Sequence, residues 1–180
     1  MSIEIYRMTR QFAQLIAFGC IALLIAIPLA GLYFLFDIDL FATMAKSSLN
    51  LPIQWQTVSN MQWYSLWLLT LLYVATGLAG LYFLRRAFAN FARGALFDHS
   101  NSRDLRLFSV FLFVQALAKP LHFSLASILL SMNHPAGQKM LSISLGSDEI
   151  KVIALAMILW VMSDLLVSAN TLEKENKQFI

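Results

Sequence analysis

Two long apolar segments in the C-terminal half of the chain contain ionisable side chains, which are rare in such surroundings. Lys119 and His122 lie within the segment 107–130, and Asp164 lies within the segment 152–171. An amine, an imidazole and a carboxylate can form an ion pair, exchange a proton or bind an ion. These residues are therefore the first candidates for a functional site.

The spacing of neighbouring polar residues places them on two helical faces. On the first segment, Gln115, Lys119 and His122 follow i, i+4, i+7 spacing, which brings them to one side of a helix. On the second segment, Asp164 and Ser168 are four residues apart and share a side in the same way. Hydrocarbon offers no hydrogen bonds, so two such faces satisfy each other best by packing together. We predict a buried polar cluster of Gln115, Lys119, His122, Asp164 and Ser168.

The depth of the two opposite charges can be counted from the ends of their segments. Lys119 lies 12 residues before Ser131, and Asp164 lies 12 residues after Val152. If the outer ends of the two helices are level, both charges lie about 18 Å below the outer surface. We therefore predict a Lys119–Asp164 ion pair near the middle of the membrane.

Several roles for this buried polar cluster remain open. The ion pair can simply fix the register of two helices. A proton- or ion-responsive site would use His122 as the group that titrates near neutral pH. The sequence shows no nucleophile–base–orienter set and no Cys/His metal pattern, so we expect no catalytic residues, no metal, no cofactor and no enzymatic activity.

The composition indicates the solvent in which these residues lie. The chain has 180 residues, of which 59% are hydrophobic and only 13% are charged. A soluble domain is about half apolar and about a quarter charged. The charges are too few to cover a soluble surface, which excludes an ordinary cytosolic enzyme, a disordered chain and a nucleic-acid-binding domain.

Four apolar segments are long enough to cross a bilayer, for which about 20 residues are needed. We predict an all-α fold, an integral membrane four-helix bundle that forms a single domain over 1–180. A cytoplasmic loop, 85–106, joins the second and third spans, and extracytoplasmic loops cover 37–63 and 131–151. The four spans are roughly 15–36, 64–84, 107–130 and 152–171.

The distribution of basic residues predicts the orientation of the bundle. Nine Lys and Arg residues lie on the side that holds both termini and the 85–106 loop, and three lie on the other side. Basic residues accumulate on the cytoplasmic side of membrane proteins. We therefore predict cytoplasmic N- and C-termini. This asymmetry also accounts for the net charge of +3 without a nucleic-acid partner.

The 85–106 loop is the second candidate site. Its first half pairs phenylalanines with arginines at helical spacing, which is typical of a basic helix at an anionic membrane surface. Gly94 is placed to end that helix. The loop is either a solvated connector or a docking surface for a cytoplasmic partner. Its candidate contact residues are Arg85, Arg86, Arg93, Gly94, Phe97, Asn101 and Arg106.

At this loop the sequence resembles a known family. The run Phe91 to Phe97 (FARGALF), the pattern of Asn101 followed by Leu105-Arg106, and the acidic tail Leu172 to Asn176 carry the resemblance. The family is the bacterial four-helix membrane family called domain of unknown function 2975 (YoaS-like). The resemblance implies an integral membrane protein of unknown activity. It also implies a gene often placed beside a small Cro-like helix-turn-helix regulator, and hence a membrane-tethered regulatory role.

Two functions follow from these observations. The first is a small protein of the bacterial inner (cytoplasmic) membrane, of unknown biochemical activity, with a regulatory or accessory role through protein–protein contacts. Its expected partners are the lipid bilayer and either a small cytoplasmic helix-turn-helix regulator or another membrane protein, without direct nucleic-acid binding. The alternative is a transporter-like or proton- or ion-responsive membrane protein that uses the buried Lys-Asp-His site.

Overall fold

A computed structural model describes residues 2–94, 99–135 and 137–178, and all the regular structure in these ranges is helical. Four helices are long and apolar enough to cross a membrane, over Met8–Phe36, Asn60–Ala92, His99–Ser131 and Ser147–Ala169. The predicted all-α fold with four spans is confirmed. The helices are α1 (Ser2–Phe36), α2 (Ile38–Leu49), α3 (Asn60–Ala92), α4 (His99–Ser131) and α5 (Ser147–Gln178), with a 3-10 turn at Trp55–Thr57.

The long helices pack mainly in the order in which they follow one another. The principal interfaces join α1 to α3, α3 to α4, and α4 to α5. The indole N–H of Trp67 donates to the carbonyl oxygen of Gly31 at 3.0 Å, which sets the levels of α1 and α3 relative to each other. Neighbouring helices along the chain are therefore neighbours in space, as short connections favour.

Two glycines allow α3 and α4 to approach closely. A Cβ added at Gly80 would lie 3.0 Å from the Cβ of Phe111, and one added at Gly77 would meet the amide of Gln115. Small residues at such crossings let helix backbones pack tightly in membranes. The glycine patch of α3 thus serves packing within the chain.

One end of the helices is covered by α2 and the loop that follows it. The Asp37 carboxylate caps α2 by accepting from the Leu40 N–H at 3.0 Å. The Gln62 side-chain amide of α3 donates to the Leu129 carbonyl of α4 at 2.7 Å, so these helix ends are level. The buried apolar residues that close this end are Phe41, Ala42, Leu51, Ile53, Trp63, Leu66, Ala126 and Leu130.

The chain between α4 and α5 runs back along α4 as an extended segment. The Met140 N–H donates to the Ser131 hydroxyl at 3.0 Å, and the Ser142 N–H donates to the Ser127 hydroxyl at 2.9 Å. Leu141, Ile143 and Leu145 alternate with these positions and point away from α4, each more than 60% exposed. We call residues 140–146 the extended segment. Its backbone is bonded by serines of α4, and its apolar side chains face outwards.

Candidate functional site

Lys119 of α4 forms an ion pair, but with a different residue than predicted. Lys119 Nζ lies 2.5 Å from Glu149 Oε1, whereas Asp164 Oδ1 lies 3.9 Å from Arg106 Nη1. The predicted Lys119–Asp164 ion pair is therefore wrong. The prediction assumed that α4 and α5 have level outer ends. The extended segment instead carries the chain back along α4 before α5 begins, so that Glu149, in the first turn of α5, lies beside Lys119.

The contacts between helices place Lys119 close to the middle of the apolar layer. Thr70 Oγ1 of α3 lies 3.1 Å from His122 Nε2 of α4, and Tyr73 lines the same cavity as Lys119. Tyr73 lies halfway along the charge-free part of α3 between Trp63 and Leu84. Lys119 thus lies level with the middle of the charge-free part of α3, and its acidic partner comes from the start of α5.

The start of α5 brings more charge to the same depth. Glu149 is only 4% exposed, and its Oε2 accepts from the Gly146 N–H at 2.7 Å, so it caps the helix while it pairs with Lys119. A negative charge at a helix N-terminus is stabilised by the free N–H groups there. Asp148 and Lys151 form an ion pair of 3.1 Å, and their side chains are 75% and 73% exposed. We call Lys119, Asp148, Glu149 and Lys151 the midplane charge cluster.

A polar cavity of about 290 Å³ adjoins this cluster. It is open between α4 and α5, and the phenol of Tyr73 and the amide of Gln115 face it from α3 and α4. Such a cavity can hold an ion or water, or receive a polar side chain of another protein. In the described ranges no group of three or more His, Cys, Asp and Glu side chains is placed to hold a metal ion. The lining residues are Tyr73, Leu112, Gln115, Ala116, Lys119, Asp148, Glu149 and Val152.

The structure divides the predicted polar cluster into two groups. Gln115 and Lys119 share the polar cavity, and His122 lies beside them against Thr70 and Tyr73 of α3, with its ring centroid 5.1 Å from that of Tyr73. Asp164 and Ser168 are exposed on α5, where the Ser168 hydroxyl donates to the Asp164 carbonyl. The two groups lie far apart along α5 because Glu149, and not Asp164, is level with Lys119.

Sequence reasoning missed three members of the midplane charge cluster. Asp148, Glu149 and Lys151 were assigned to an outer loop because the fourth apolar run begins only after them. The signal that would have found them is a helix start, since Ser147 is followed directly by two acidic residues in the first turn. A helix that begins at Ser147 contains all three residues.

The predicted loop residues meet different surroundings. Arg86 Nε lies 3.1 Å from Asp104 Oδ2, and the Asn90 amide donates to Asn101 Oδ1 at 2.9 Å, so both contacts join α3 to α4. Asn101 is completely buried, and its predicted place on a contact surface is wrong because it faces α3. Phe97 lies outside the described residues.

The remaining loop residues are placed as helix ends and exposed charges. Gly94 has φ +86° directly after α3, a conformation that favours glycine, and the prediction that it ends the helix is confirmed. Arg93 is exposed and Arg85 is half-buried. Arg106 is exposed and lies over the Trp160 ring of α5, 4.6 Å from its centroid.

The fold and these two sites define a multi-pass α-helical membrane protein with four spans. Comparison with protein families agrees with the resemblance read from the loop. The family described as "Protein of unknown function (DUF2975)" matches residues 40–180, more than three quarters of the chain, and the protein belongs to this family. No curated protein and no solved structure matches the chain.

Proposed function

We propose that this protein is a regulatory or accessory protein of the bacterial inner membrane, with cytoplasmic termini, that acts through contacts with another membrane protein. The contact is made within the bilayer, at the face of α5 that carries Asp148 and Lys151. The observation that supports this proposal is the exposure of two charged side chains at the depth of the bilayer middle.

Hydrocarbon is a poor solvent for both side chains. Placing an Asp or a Lys at the centre of a membrane helix costs about 2.5–3.5 kcal/mol on the scale derived from insertion experiments. The mutual pairing of Asp148 and Lys151 offsets part of that cost, but three quarters of each side chain remains uncovered. A partner helix with complementary charges at the same depth would cover them and would gain specificity from the match.

The test is crosslinking within native membranes. A photoreactive amino acid at Leu155, one turn from Lys151 and 48% exposed, is expected to yield an adduct with a discrete protein. The matched control is Leu29 on α1, which is 59% exposed and far along the chain from α5. Asp148→Lys should abolish the Leu155 adduct because it sets two positive charges against the partner.

The exchange variant Asp148→Lys/Lys151→Asp identifies the kind of partner. If the partner is a second copy of this chain, both copies carry the exchange, the charges match again, and the adduct returns. If the partner is a different protein, the exchange variant loses the adduct like the single variant. An adduct that survives Asp148→Lys, or lipid adducts alone at Leu155, would refute the proposal.

A second candidate function, favoured by the polar cavity beside Lys119, is a proton- or ion-responsive membrane protein. Protonation of Glu149 would remove the negative charge that holds Lys119 and would weaken the acceptor that caps α5. Glu149→Gln imitates the protonated state. If the candidate is correct, Glu149→Gln has a different crosslinking pattern from the wild type at the same pH. A pattern that is the same in the two proteins would contradict it.

A further inference from the structure

Three arginines line one cavity between α1 and α3, and no part of the proposed function uses it. Arg10 comes from α1, and Arg85 and Arg93 come from the end of α3, around a space of about 270 Å³. Along the helices, Arg10 is about 31 Å from Gly31 and Arg85 is about 27 Å from Trp67. Since Gly31 and Trp67 are bonded to each other, the two arginines lie at the same level to within one turn. We call this space the arginine cavity.

Among the described residues that line this cavity, no acidic side chain balances the three arginines. The Nε of Arg85 is buried and has no hydrogen-bond partner among the described residues, which is unusual for a guanidinium. By contrast, the neighbouring Arg86 is paired with Asp104. A buried donor that lacks an acceptor among the described residues, in a cavity lined by two further arginines, indicates a site for an anion.

The α1 wall of the cavity is apolar and lies deeper in the membrane than Arg10. Ala17, Phe18 and Ile21 continue the wall on α1 for up to about 16 Å below Arg10, in the direction of the bilayer centre. The α3 side is formed by Ala89 and Ala92, and Gln14 adds a polar amide near the arginines. A charged mouth at the membrane surface above an apolar wall has the amphipathic character of a phospholipid.

We propose that the arginine cavity binds the phosphate group of an anionic phospholipid, with an acyl chain along Phe18 and Ile21. Guanidinium groups bind phosphate through two parallel N–H donors each, and basic pockets between membrane helices bind such headgroups. An inorganic phosphate ion has the same charged chemistry but cannot use the apolar wall. The wall is thus the reason to assign a lipid as the source of the phosphate.

Native mass spectrometry of the full chain in mild detergent tests this site. The probes are phosphatidylglycerol and phosphatidylcholine with identical acyl chains, and inorganic phosphate is a third arm. We expect one phosphatidylglycerol molecule to bind tightly and phosphatidylcholine to bind more weakly. Millimolar phosphate should not displace the bound lipid. The double variant Arg85→Gln/Arg93→Gln should lower the affinity for phosphatidylglycerol by about tenfold for each charged hydrogen bond that is lost.

The matched control is Arg103→Gln/Arg106→Gln, which removes the same charge from the same end of the molecule but outside the arginine cavity. It should retain the phosphatidylglycerol. Equal binding of the two lipids, equal losses in both variants, or displacement by inorganic phosphate would each overturn the proposal. A phosphatidylglycerol analogue with a photoreactive headgroup gives a result that does not depend on the folding of variants. It should label the wild type within 10–21 and 85–93, and labelling elsewhere only would refute the assignment.

Discussion

At the scale of single residues, Glu149 performs two tasks that are usually divided between two side chains. One oxygen pairs with Lys119 of α4, and the other accepts from the Gly146 N–H at the start of α5. Within a membrane both groups would otherwise meet hydrocarbon. This carboxylate therefore fixes where α5 begins and how α5 is aligned with α4.

The pairing of Lys119 with Glu149 predicts an order of stability among variants. Lys119→Met and Glu149→Leu should each lower the melting temperature in detergent, because each leaves the opposite charge without its partner. The double variant should be more stable than either single variant, since replacing both members of an ion pair by apolar groups is often nearly neutral. Melting can be followed by size-exclusion chromatography after heating.

Asp164→Asn is the control for this series. The Asp164 carboxylate is more than half exposed, and its ion pair with Arg106 is long, at 3.9 Å. Exposed ion pairs contribute about 0–1 kcal/mol to stability. It should therefore melt close to the wild type. If Asp164→Asn proved as damaging as Glu149→Leu, the alignment of α4 and α5 described above would be incorrect.

At the scale of elements, the extended segment depends on hydroxyl groups rather than on a partner strand. Its N–H groups at Met140 and Ser142 donate to Ser131 and Ser127 of α4. Non-helical backbone is tolerated at membrane depth only where protein bonds it. These serines thus hold an extended backbone against α4 directly before α5 begins.

Ser127→Ala is expected to destabilise the fold by about 1–3 kcal/mol, because it leaves the Ser142 N–H without an acceptor away from water. Ser124→Ala is the matched variant one turn away. The Ser124 hydroxyl donates only within α4, to the Pro120 carbonyl, and its loss should change stability by less than about 0.5 kcal/mol. Unfolding in mild detergent with added denaturing detergent measures both. Equal effects of the two variants would show that the Ser127 hydroxyl does not hold the segment.

Most of the helices could be predicted from the sequence. The four apolar runs predict the four helices because length and hydropathy alone determine which segments can cross a bilayer. The pairing of α4 with α5 could not be predicted in the same way, since it depends on how the chain between Ser131 and Ser147 is folded. The alternation from Met140 to Leu145 indicates an extended backbone, but it does not tell which surface bonds the segment.

At the scale of the whole molecule, the long helices do not all begin or end at the same level on the outer side. The outer ends of α3 and α4 are level, as the bond from Gln62 to Leu129 shows, whereas α5 begins near the depth of Lys119. The extended segment runs along α4 from Ser131 past Ser127 and accounts for this difference. Residue counting predicts that Lys119 lies deep within its apolar segment, but it does not predict the unequal ends.

The depth of the extended segment can be measured with nitroxide labels in a Cys20→Ala background reconstituted into lipid. A label at Leu145 should have the high oxygen and low nickel accessibility of the apolar layer, similar to a label at Leu68 of α3. Both side chains are more than half exposed, at 69% and 53%. A label at Met61, beside the start of α3, is the reference for the surface. If Leu145 resembled Met61 instead, the extended segment would lie on the membrane surface.

The strict alternation of the extended segment has a consequence for its tolerance of length changes. Met140 and Ser142 are bonded to serines of α4, whereas Leu141 and Ile143 point outwards. Deleting or inserting one residue between Met140 and Gly146 would exchange the two sets, turning hydroxyl groups towards lipid and leucines towards the serines of α4. Substitutions that keep the alternation can therefore accumulate here, whereas the number of residues cannot change without releasing the start of α5.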